Sequence, residues 1–403
     1  MPELVTLADV EAAAKTLGGV VRDTPLEHCT PLTEAVGGPV LLKCENLQRA
    51  GSYKVRGAYV RIAGLSAAER ARGVVAASAG NHAQGVALAA QLLGITSTVF
   101  MPVGAPLPKV AATKGYGAQV ELVGDNVEGA LAAAREFADR TGAVFIHPFD
   151  HPDVIAGQGT VALEILAAAP EVKTIICSIG GGGLISGMAV AAKALRPDIR
   201  IIGVQAEGAA AYPGSLLAGH PVALESYSTI ADGIAVGIPG ELTFAHVQAL
   251  VDDVVTVTDE DISRTLVMLL ERAKLAVEPA GAAGAAALLT GKVKVDTPVV
   301  AVLSGGNIDP LLMMKLIEHG LAAAGRFQRL VVRCADRPGQ LARMLSLIAE
   351  TRANVADVEH RRHDPRLGFG EVEVTLSVET RGPEHSGELV AKLRSVGYNV
   401  RLP

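Results

Sequence analysis

The sequence contains no tryptophan, and aromatic residues make up only 3% of its 403 residues. Side chains that stack on bases or sugar rings are therefore scarce. The net charge of −6 also lacks the basic excess that a nucleic-acid-binding face requires. Two adjacent arginines, Arg361 and Arg362, are typical of a solvated strand end. We therefore predict no nucleic-acid partner.

Cysteines and long apolar runs are scarce as well. The four cysteines form no CxxC pair, and three of them lie in apolar runs where a reduced cysteine acts as a small core residue. The N-terminus lacks the positive flank and the apolar stretch of a signal peptide. Apolar runs such as residues 86–90 are interrupted by Gln91 and Gly94, so no segment is predicted to span a bilayer. We expect a cytoplasmic protein with no membrane partner.

Hydrophobic residues nevertheless make up 49% of the chain, mostly as alanine, valine and leucine. From about residue 39 to 320, valine- and isoleucine-rich runs alternate with alanine-rich helical patterns. The predicted strands are 39–43, 73–77, 96–101, 119–123, 174–178, 200–205 and 298–303, and the helices include 81–93, 126–140, 154–168 and 184–195. This alternation indicates an α/β fold with right-handed βαβ units and a parallel sheet, whose ligands lie at the carboxyl ends of the strands.

A glycine- and alanine-rich joint at residues 319–325 precedes a different pattern. The last segment is predicted to contain strand 327–334, helix 338–351, strands 354–362 and 369–379, helix 383–396 and strand 398–402. This βαββαβ order is ferredoxin-like. We therefore predict an α/β body at 1–320, a linker at 321–326 and a small domain at 327–403. A smaller lobe at about 40–145 is expected to be inserted in the larger lobe of the body.

Four consecutive glycines, Gly180, Gly181, Gly182 and Gly183, follow a predicted strand and open a helix at Leu184. Glycine lets the backbone fold into a concavity lined by N–H groups, and the helix N-terminus adds positive potential. The run lacks the Gly-Lys-Ser/Thr ending of a nucleoside triphosphate loop and the acidic residue of a dinucleotide fingerprint. A tight turn explains one or two glycines, whereas four in a row favour a phosphate cup.

A second strand-to-helix junction contains Ser78, Ala79, Gly80, Asn81 and His82. Its backbone N–H groups can cap an anion such as a substrate carboxylate. Asn81, at the predicted N-cap position, also offers an amide to a ligand. An ordinary helix cap explains the same residues equally well.

Two further residues become informative beside the phosphate cup. Lys54 precedes an apolar helix predicted at 55–65, and a lysine in an apolar pocket has a lowered pKa and attacks aldehydes. A lone lysine is otherwise a surface charge. Ser304 ends a late strand and can hydrogen-bond a heteroaromatic nitrogen, although a serine that only completes a turn fits equally well.

Taken together, these motifs resemble the fold-type II pyridoxal-phosphate enzymes of the serine/threonine dehydratase family, and most closely its threonine dehydratases (threonine ammonia-lyases). The resemblance rests on Ser52-Tyr53-Lys54, the 78–82 junction, the tetraglycine loop and the Ser-Gly-Gly-Asn run at 304–307. It implies a two-domain body with parallel sheets like those of tryptophan synthase β. Residues 327–403 resemble an ACT regulatory domain through the run from Asp336 to Leu341.

The resemblance implies that Lys54 carries pyridoxal 5'-phosphate as a Schiff base and then removes the Cα proton of the substrate. The other residues expected to contact the cofactor are Tyr53, Asn81, Gly180, Gly181, Gly182, Gly183, Leu184 and Ser304. The substrate is expected at Ser78, Ala79, Gly80, Asn81 and His82. A neutral serine hydroxyl at the pyridine nitrogen makes a weaker electron sink than a carboxylate would, which suits β-elimination.

Two departures from the family pattern narrow these expectations. Serine racemases place a serine hydroxyl where this sequence has Ala79, so we predict elimination with little racemisation. Some relatives bind a divalent cation through acidic residues, whose apparent counterparts here are Gln205 and Ala211, with Glu207 displaced. We therefore predict no metal. Ala50 stands where the family commonly has threonine, at the rim of the substrate pocket.

The resulting hypothesis is a dehydratase that converts L-threonine to 2-oxobutanoate and ammonia, and L-serine to pyruvate, as in isoleucine biosynthesis. The ACT-like segment is expected to bind isoleucine or valine near Asp336, Gly339 and Asn354, or to act only in dimerisation. We expect a homodimer or homotetramer, because an exposed sheet edge invites another strand. The alternatives are a β-replacement enzyme or threonine synthase, and a non-catalytic amino-acid-binding protein.

Overall fold

The computed structural model describes residues 2–363 and 366–402. Met1, Asp364, Pro365 and Pro403 fall within the predicted domain limits and lie outside the described residues. The chain divides into two compact units, Met1–Asp309 and Pro310–Pro403. Among the described helices, none combines the length and the apolar character needed to cross a bilayer.

The first unit contains two sheets surrounded by helices. Its strands are β1 (Leu26–His28), β2 (Val40–Lys43), β3 (Val74–Ala77), β4 (Ser97–Met101), β5 (Gln119–Leu122), β6 (Val144–Phe145), β7 (Thr174–Ser178), β8 (Arg200–Ala206), β9 (Asp253–Val257) and β10 (Val299–Val302). Its helices are α1 (Leu7–Thr16), α2 (Thr30–Val36), α3 (Lys54–Ala63), α4 (Ala67–Arg72), α5 (Asn81–Leu93), α6 (Leu107–Gly115), α7 (Val127–Thr141), α8 (Pro152–Ala168), α9 (Gly183–Leu195), α10 (Ala211–Ala218), α11 (Glu241–Leu250), α12 (Asp259–Met268) and α13 (Pro279–Leu289).

The larger sheet has the order β1-β2-β10-β7-β8-β9, and the smaller sheet has the order β5-β4-β3-β6. The predicted α/β fold with parallel sheets is confirmed, since every pair except β1 with β2 runs parallel. Three strands are absent from the prediction, namely β1, β6 and β9. The first two span only three and two residues, too few to show a period. β9 is longer, and its run of valine and threonine is a signal that could have been recognised.

Small residues allow the helices to approach closely under the larger sheet. A Cβ atom on Gly187 of α9 would lie 2.1 Å from the main-chain oxygen of Ile155 in α8. Glycine is therefore required where these two helices cross. Around this crossing lies a core of buried valine, isoleucine and alanine side chains from α1, α8, α9 and the central strands. Each buried valine or isoleucine side chain contributes about 1.5–3 kcal/mol, so this core holds the strand ends that carry the loops of the site in place.

The second unit has one antiparallel sheet in the order β12-β13-β11-β14. Its elements are α14 (Pro310–Ala323), β11 (Phe327–Ala335), α15 (Gln340–Glu350), β12 (Asn354–Arg361), β13 (Glu371–Glu379), α16 (Pro383–Ser395) and β14 (Asn399–Arg401). The predicted ferredoxin-like βαββαβ unit is confirmed. Helix α14 belongs to this unit and continues into the segment that we predict as a linker, 321–326.

Candidate active site

Loops from four distant parts of the first unit meet at the carboxyl ends of the strands. The main-chain N–H of Tyr53 donates to the main-chain oxygen of Ser304 at 3.2 Å. The hydroxyls of Ser304 and Ser178 lie 3.2 Å apart. Nδ2 of Asn307 donates to Oδ1 of Asn81 at 2.8 Å. The structure therefore brings together the four motifs that are expected to form one site.

Lys54 is the first residue of α3 and is partly buried. Its Nζ donates to the main-chain oxygen of Pro148 at 2.8 Å and lies 5.3 Å from the centre of the Tyr53 ring. Burial lowers the pKa of Lys54 to about 8, against the opposing effect of the Glu278 carboxylate. A far larger fraction of the amine is then uncharged at neutral pH than for a lysine in water. This is the state that can act as a base or nucleophile.

Arg56, two residues after Lys54 in α3, anchors this helix through a buried network of charged side chains. None of these side chains belongs to the predicted site. The Arg56 guanidinium is fully buried, and its Nε and Nη2 donate to Glu45 at 2.9 and 2.8 Å. Its Nη1 donates to Thr160 at 3.1 Å, and both Nη atoms also donate to Glu164. All five N–H groups of Arg56 are thus used. Lys43 donates to Glu164 as well, and its ammonium also lies 4.0 Å from the exposed Asp23 carboxylate. Each of the two inner carboxylates, Glu45 and Glu164, therefore has a cationic partner.

The tetraglycine loop turns from β7 into α9. Gly182 has a φ of 96°, in the region that favours glycine, and a Cβ there would lie 2.0 Å from the Tyr212 hydroxyl. Within the described ranges, no acceptor faces the main-chain N–H groups of Gly181, Gly182 and Gly183, although these residues are buried. Buried N–H groups are normally paired. Their arrangement at the start of α9 is suited to binding an anion.

Asn81 does not occupy the predicted N-cap position. Gly80 is the N-cap of α5, and Asn81 is the first helical residue. The side-chain amide of Asn81 does not cap the helix, because it donates to Glu278 and accepts from Asn307. Asn81 is therefore held from outside its own helix.

Glu278, immediately before α13, is absent from the predicted site, yet it lies at the centre of the site. Burial and the nearby Asp232 carboxylate raise its pKa to about 7, against the effects of Lys109, Asn81 and Lys54. The ammonium of Lys109 is itself 2.6 Å from Asp232. In the sequence, Glu278 is marked only as a single acidic residue in an apolar run before an alanine-rich helix. A residue that merely caps the helix gives the same pattern, so the sequence alone does not identify Glu278 as a site residue.

At the 78–82 junction, the side chain of His82 points away from the expected substrate. Its Nε2 lies 2.8 Å from the main-chain oxygen of Ile146, and it is buried. Burial and the Lys54 ammonium lower the pKa of His82 to about 3, which keeps the ring neutral. Of His82, only the main chain is therefore available to a ligand. Ser78 accepts from the N–H of Gly80 at 3.1 Å, which shapes the turn.

The predicted effector residues of the second unit do not form one group. Asp336 and Gly339 lie between β11 and the start of α15. Asn354 pairs with Glu379 at the opposite end of the sheet, about 25 Å away along the strands. The reason is topological, because α15 carries the chain back along the sheet before β12 begins.

Gln205, an apparent counterpart of an acidic metal ligand in some relatives, makes hydrogen bonds within the chain. Oε1 of Gln205 accepts from the N–H of Tyr212 at 2.8 Å, and Gln205 Nε2 donates to the main-chain oxygens of Ile179 and Ala209 at 3.4 Å each. Across residues 2–363 and 366–402, no group of three or more His, Cys, Asp or Glu side chains is placed to hold a metal ion.

Comparison with known proteins agrees with this arrangement. The family model of pyridoxal-phosphate dependent enzymes matches residues 18–305, and the ACT domain model matches residues 328–397. The L-threonine ammonia-lyase of Thermotoga maritima is 46% identical, over 99% of this chain and 100% of that protein. The structure of processed threonine deaminase isoform 2 from Solanum lycopersicum is 38% identical, with a TM-score of 0.74 over 77% of this chain and 86% of that chain. The structure of maize serine racemase is also 38% identical, with a TM-score of 0.75 over 80% of this chain and 99% of that chain.

The predicted family and its cofactor, pyridoxal 5'-phosphate, are confirmed. This chain belongs to the family of pyridoxal-phosphate dependent enzymes and carries a C-terminal ACT domain.

Proposed function

We propose that this chain is an L-threonine ammonia-lyase, which converts L-threonine to 2-oxobutanoate and ammonia and also acts on L-serine. The observation that carries the proposal is the 46% identity to the Thermotoga maritima enzyme, because it extends over 99% of this chain and includes both units. A serine racemase is a structural neighbour as well. Residues of the site must therefore decide between elimination and racemisation.

The residues present fit pyridoxal 5'-phosphate. The cofactor combines an aldehyde, an aromatic ring nitrogen and a phosphate. Lys54 offers an amine of lowered pKa, and the tetraglycine loop offers buried N–H groups that no described residue satisfies. Ser304 offers a buried hydroxyl. The neighbouring Ser52 hydroxyl is buried and has no hydrogen-bond partner among the described residues, as expected where a ligand completes the site.

Each group of the site then has a separate task. The N–H groups of Gly180 to Gly183, followed by Leu184 in the first turn of α9, would hold the phosphate at the positive end of the helix. Asn81 and Ser304 would orient the ring of the bound cofactor, and Tyr53 would pack beside it. The N–H groups at the start of α5 bind the substrate carboxylate. When bound, the cofactor withdraws electrons from Cα of the amino acid.

Lys54 moves the proton. Because burial lowers the pKa of Lys54 to about 8, a substantial fraction of its amine is uncharged near neutral pH, and an uncharged Nζ takes the Cα proton. The C3 hydroxyl then leaves as water with the proton that Nζ has taken from Cα. The released enamine takes up water and breaks down to ammonia and the 2-oxo acid. A neutral hydroxyl at Ser304 suits this reaction, because elimination does not require a long-lived carbanion.

Ala79 supports elimination over racemisation. Racemisation requires a proton donor on the face of Cα opposite to Lys54, and an alanine methyl group cannot supply a proton. We therefore infer that Lys54 is the only base at Cα.

Steady-state kinetics test the proposed function. We expect kcat/KM for 2-oxo acid release to be about tenfold or more higher with threonine than with serine, since a well-packed methyl group is worth about 1–3 kcal/mol. Chiral analysis of residual serine should detect almost no D-serine.

Three outcomes would contradict the proposed function. Activity on serine alone would contradict the proposed substrate. Product formation that requires sulfide or phosphohomoserine would favour β-replacement or threonine synthase instead. A purified protein without a visible cofactor band would favour a non-catalytic binding protein.

We further propose that the ACT domain, predicted at 327–403, regulates the catalytic body, predicted at 1–320. Gly339 is the N-cap of α15, with a φ of 85°. Asp336 precedes this turn, and its Oδ2 lies 3.4 Å from Nε of Arg362. An exposed carboxylate and guanidinium beside a helix N-terminus are complementary to the ammonium and carboxylate of a free amino acid. We propose isoleucine or valine as the effector and expect a cytoplasmic enzyme of isoleucine biosynthesis.

The edge of the ACT sheet supports a homodimer or homotetramer. Strand β12 is eight residues long and lies at one edge of the sheet. Exposed edges of this length readily pair with a second chain.

Titration of the intact protein separates regulation from simple dimerisation. We expect L-isoleucine to release or absorb measurable heat and to change the half-saturating threonine concentration by about fivefold or more, the lower limit of a typical allosteric coupling. D-isoleucine serves as the matched control ligand. Sedimentation measured in parallel reports the oligomeric state. If the protein self-associates but neither isoleucine nor valine binds, the ACT domain acts only in assembly.

A further inference from the structure

Asn307 forms a hydrogen-bonded chain with two other side chains of the site. Its Nδ2 donates to the main-chain oxygen of Ala50 at 2.7 Å and to Oδ1 of Asn81 at 2.8 Å, and it makes a longer contact of 3.4 Å with Oε1 of Gln84. Asn81 in turn donates from Nδ2 to Glu278. The chain joins the loop after β10, the start of α5 and the residue before α13, which are far apart in sequence.

This chain determines which way the amide of Asn81 points. If its oxygen and nitrogen were exchanged, an N–H of Asn81 would face the donor Nδ2 of Asn307, and an oxygen of Asn81 would face the Glu278 carboxylate. Asn307 cannot turn to compensate, because its Nδ2 already donates to the carbonyl of Ala50, which only accepts. One orientation of Asn81 therefore satisfies every group.

The Asn81 side chain has two hydrogen-bond partners, Glu278 and Asn307. Only Asn307 has no group that gains or loses a proton in the pH range in which the enzyme works. Glu278 has a pKa raised to about 7 by burial and by Asp232, so near neutral pH it exists both with and without a proton. Lys109 and Lys54 also face it and oppose this rise in pKa. A protonated carboxyl can donate as well as accept. The amide of Asn307 has no such second state.

The surrounding backbone leaves room for this chain of side chains. A Cβ on Gly51, whose φ is 69°, would lie 2.2 Å from Oδ1 of Asn307. A Cβ on Gly305 would lie 2.1 Å from Oε1 of Glu278 and 2.9 Å from Nδ2 of Asn81. Both glycines are thus required by the same three side chains.

We propose that Asn307 is a positioning residue that holds the Asn81 amide so that its second N–H would face the 3'-oxygen, the hydroxyl oxygen attached to the pyridine ring of the cofactor. This inference rests on the proposed function, because it concerns the same cofactor site. Asn307 acts through Asn81 and does not itself need to touch the cofactor.

The test compares two asparagine-to-aspartate changes in the purified, cofactor-loaded protein. Asn307→Asp removes the N–H groups that donate to Asn81 and to the main-chain oxygen of Ala50, with almost no change of shape. Asn46→Asp is the matched control, because Asn46 is also buried and its Nδ2 also donates to a main-chain oxygen, that of Ala276 at 3.1 Å. Asn46 makes no hydrogen bond to Asn81 among the described residues. The readouts are the dissociation constant of pyridoxal 5'-phosphate and the visible absorption band of the bound cofactor across a pH series.

We expect Asn307→Asp to weaken cofactor binding by about tenfold, because Asn81 would no longer be held to give its one hydrogen bond to the cofactor, and to shift the pH midpoint of the band. Asn46→Asp should change neither readout by more than about twofold. If Asn307→Asp does not fold, Asn307→Ala removes the same donor without adding a charge. Unchanged affinity and band in the Asn307 variants, or equal changes in the Asn46 variant, would overturn the inference. Threonine turnover by the unaltered protein is measured separately and reports on the proposed function alone.

Discussion

Replacing Lys54 with alanine is expected to lower 2-oxo acid release from threonine by about 10³-fold or more, because the base and the covalent anchor are lost together. The fold should survive. Within the described chain, Lys54 Nζ has a single hydrogen bond, to Pro148 at 2.8 Å. Lys54 also opens α3, where alanine is an excellent helix former. Keto-acid release and the thermal midpoint by circular dichroism measure the two expectations.

Lys54→Arg is the control that separates the effect of losing the positive charge from the effect of losing the base. Arginine keeps the positive charge beside Glu278, but it stays protonated and cannot take a proton from Cα. We expect this variant to be as inactive as the alanine variant. Residual turnover above about 1% in either variant would contradict a role for Lys54 as the only base, since general base catalysis alone contributes about 10²-fold or more.

Replacing Arg56 with methionine is expected to destabilise the protein by about 3–5 kcal/mol, as for removal of one partner from a buried ion pair. Methionine fills much of the volume but leaves Glu45, whose side chain is 0% exposed, without its main counter-charge. Glu164 loses two of its hydrogen bonds as well. Because α3 carries Lys54, the variant should also bind the cofactor more weakly. Urea unfolding followed by circular dichroism measures the loss.

The loss of stability in Arg56→Met should be larger at high pH than at low pH. Burial raises the pKa of the Glu45 carboxyl, but Arg56 in the first place, together with Thr24 and Lys43, more than offsets this effect and holds that pKa below its usual value. Glu45 therefore contributes stability above its unfolded pKa, and that stability is lost on acidification. Without Arg56, burial dominates, the folded pKa rises above the unfolded one, and the penalty shrinks as the carboxyl is protonated. The difference between the two proteins should therefore be larger at about pH 8 than at about pH 5.

Arg61→Met is the matched control on the same helix. Arg61 lies 3.4 Å from Asp153, but both side chains are partly exposed to water. Such pairs contribute at most about 1 kcal/mol, so this variant should lose little stability. Equal losses at positions 56 and 61, or a loss at position 56 that does not vary with pH, would show that the buried network does not anchor α3 as the structure indicates.

Local patterns were sufficient for the motifs and for most of the elements around them. The tetraglycine run, the 78–82 junction, Lys54 and Ser304 each follow or precede a recognisable strand or helix, and the ends of parallel strands meet at one edge of a sheet. The predicted strands formed with ends shifted by a residue or two, because buried valine- and isoleucine-rich runs are a strong signal. Strands as short as β6 carry no such signal.

The sequence by itself therefore determined the fold class, the family and the chemistry offered by Lys54. Only the tertiary structure decided what surrounds these groups. Glu278 stands 197 residues from Asn81, and Arg56 stands 108 residues from Glu164. In the sequence each of these charges is indistinguishable from a surface charge, because periodicity encodes which face of an element is buried but not which distant polar group will meet it there. The partners of the site are fixed only when the strands and helices pack.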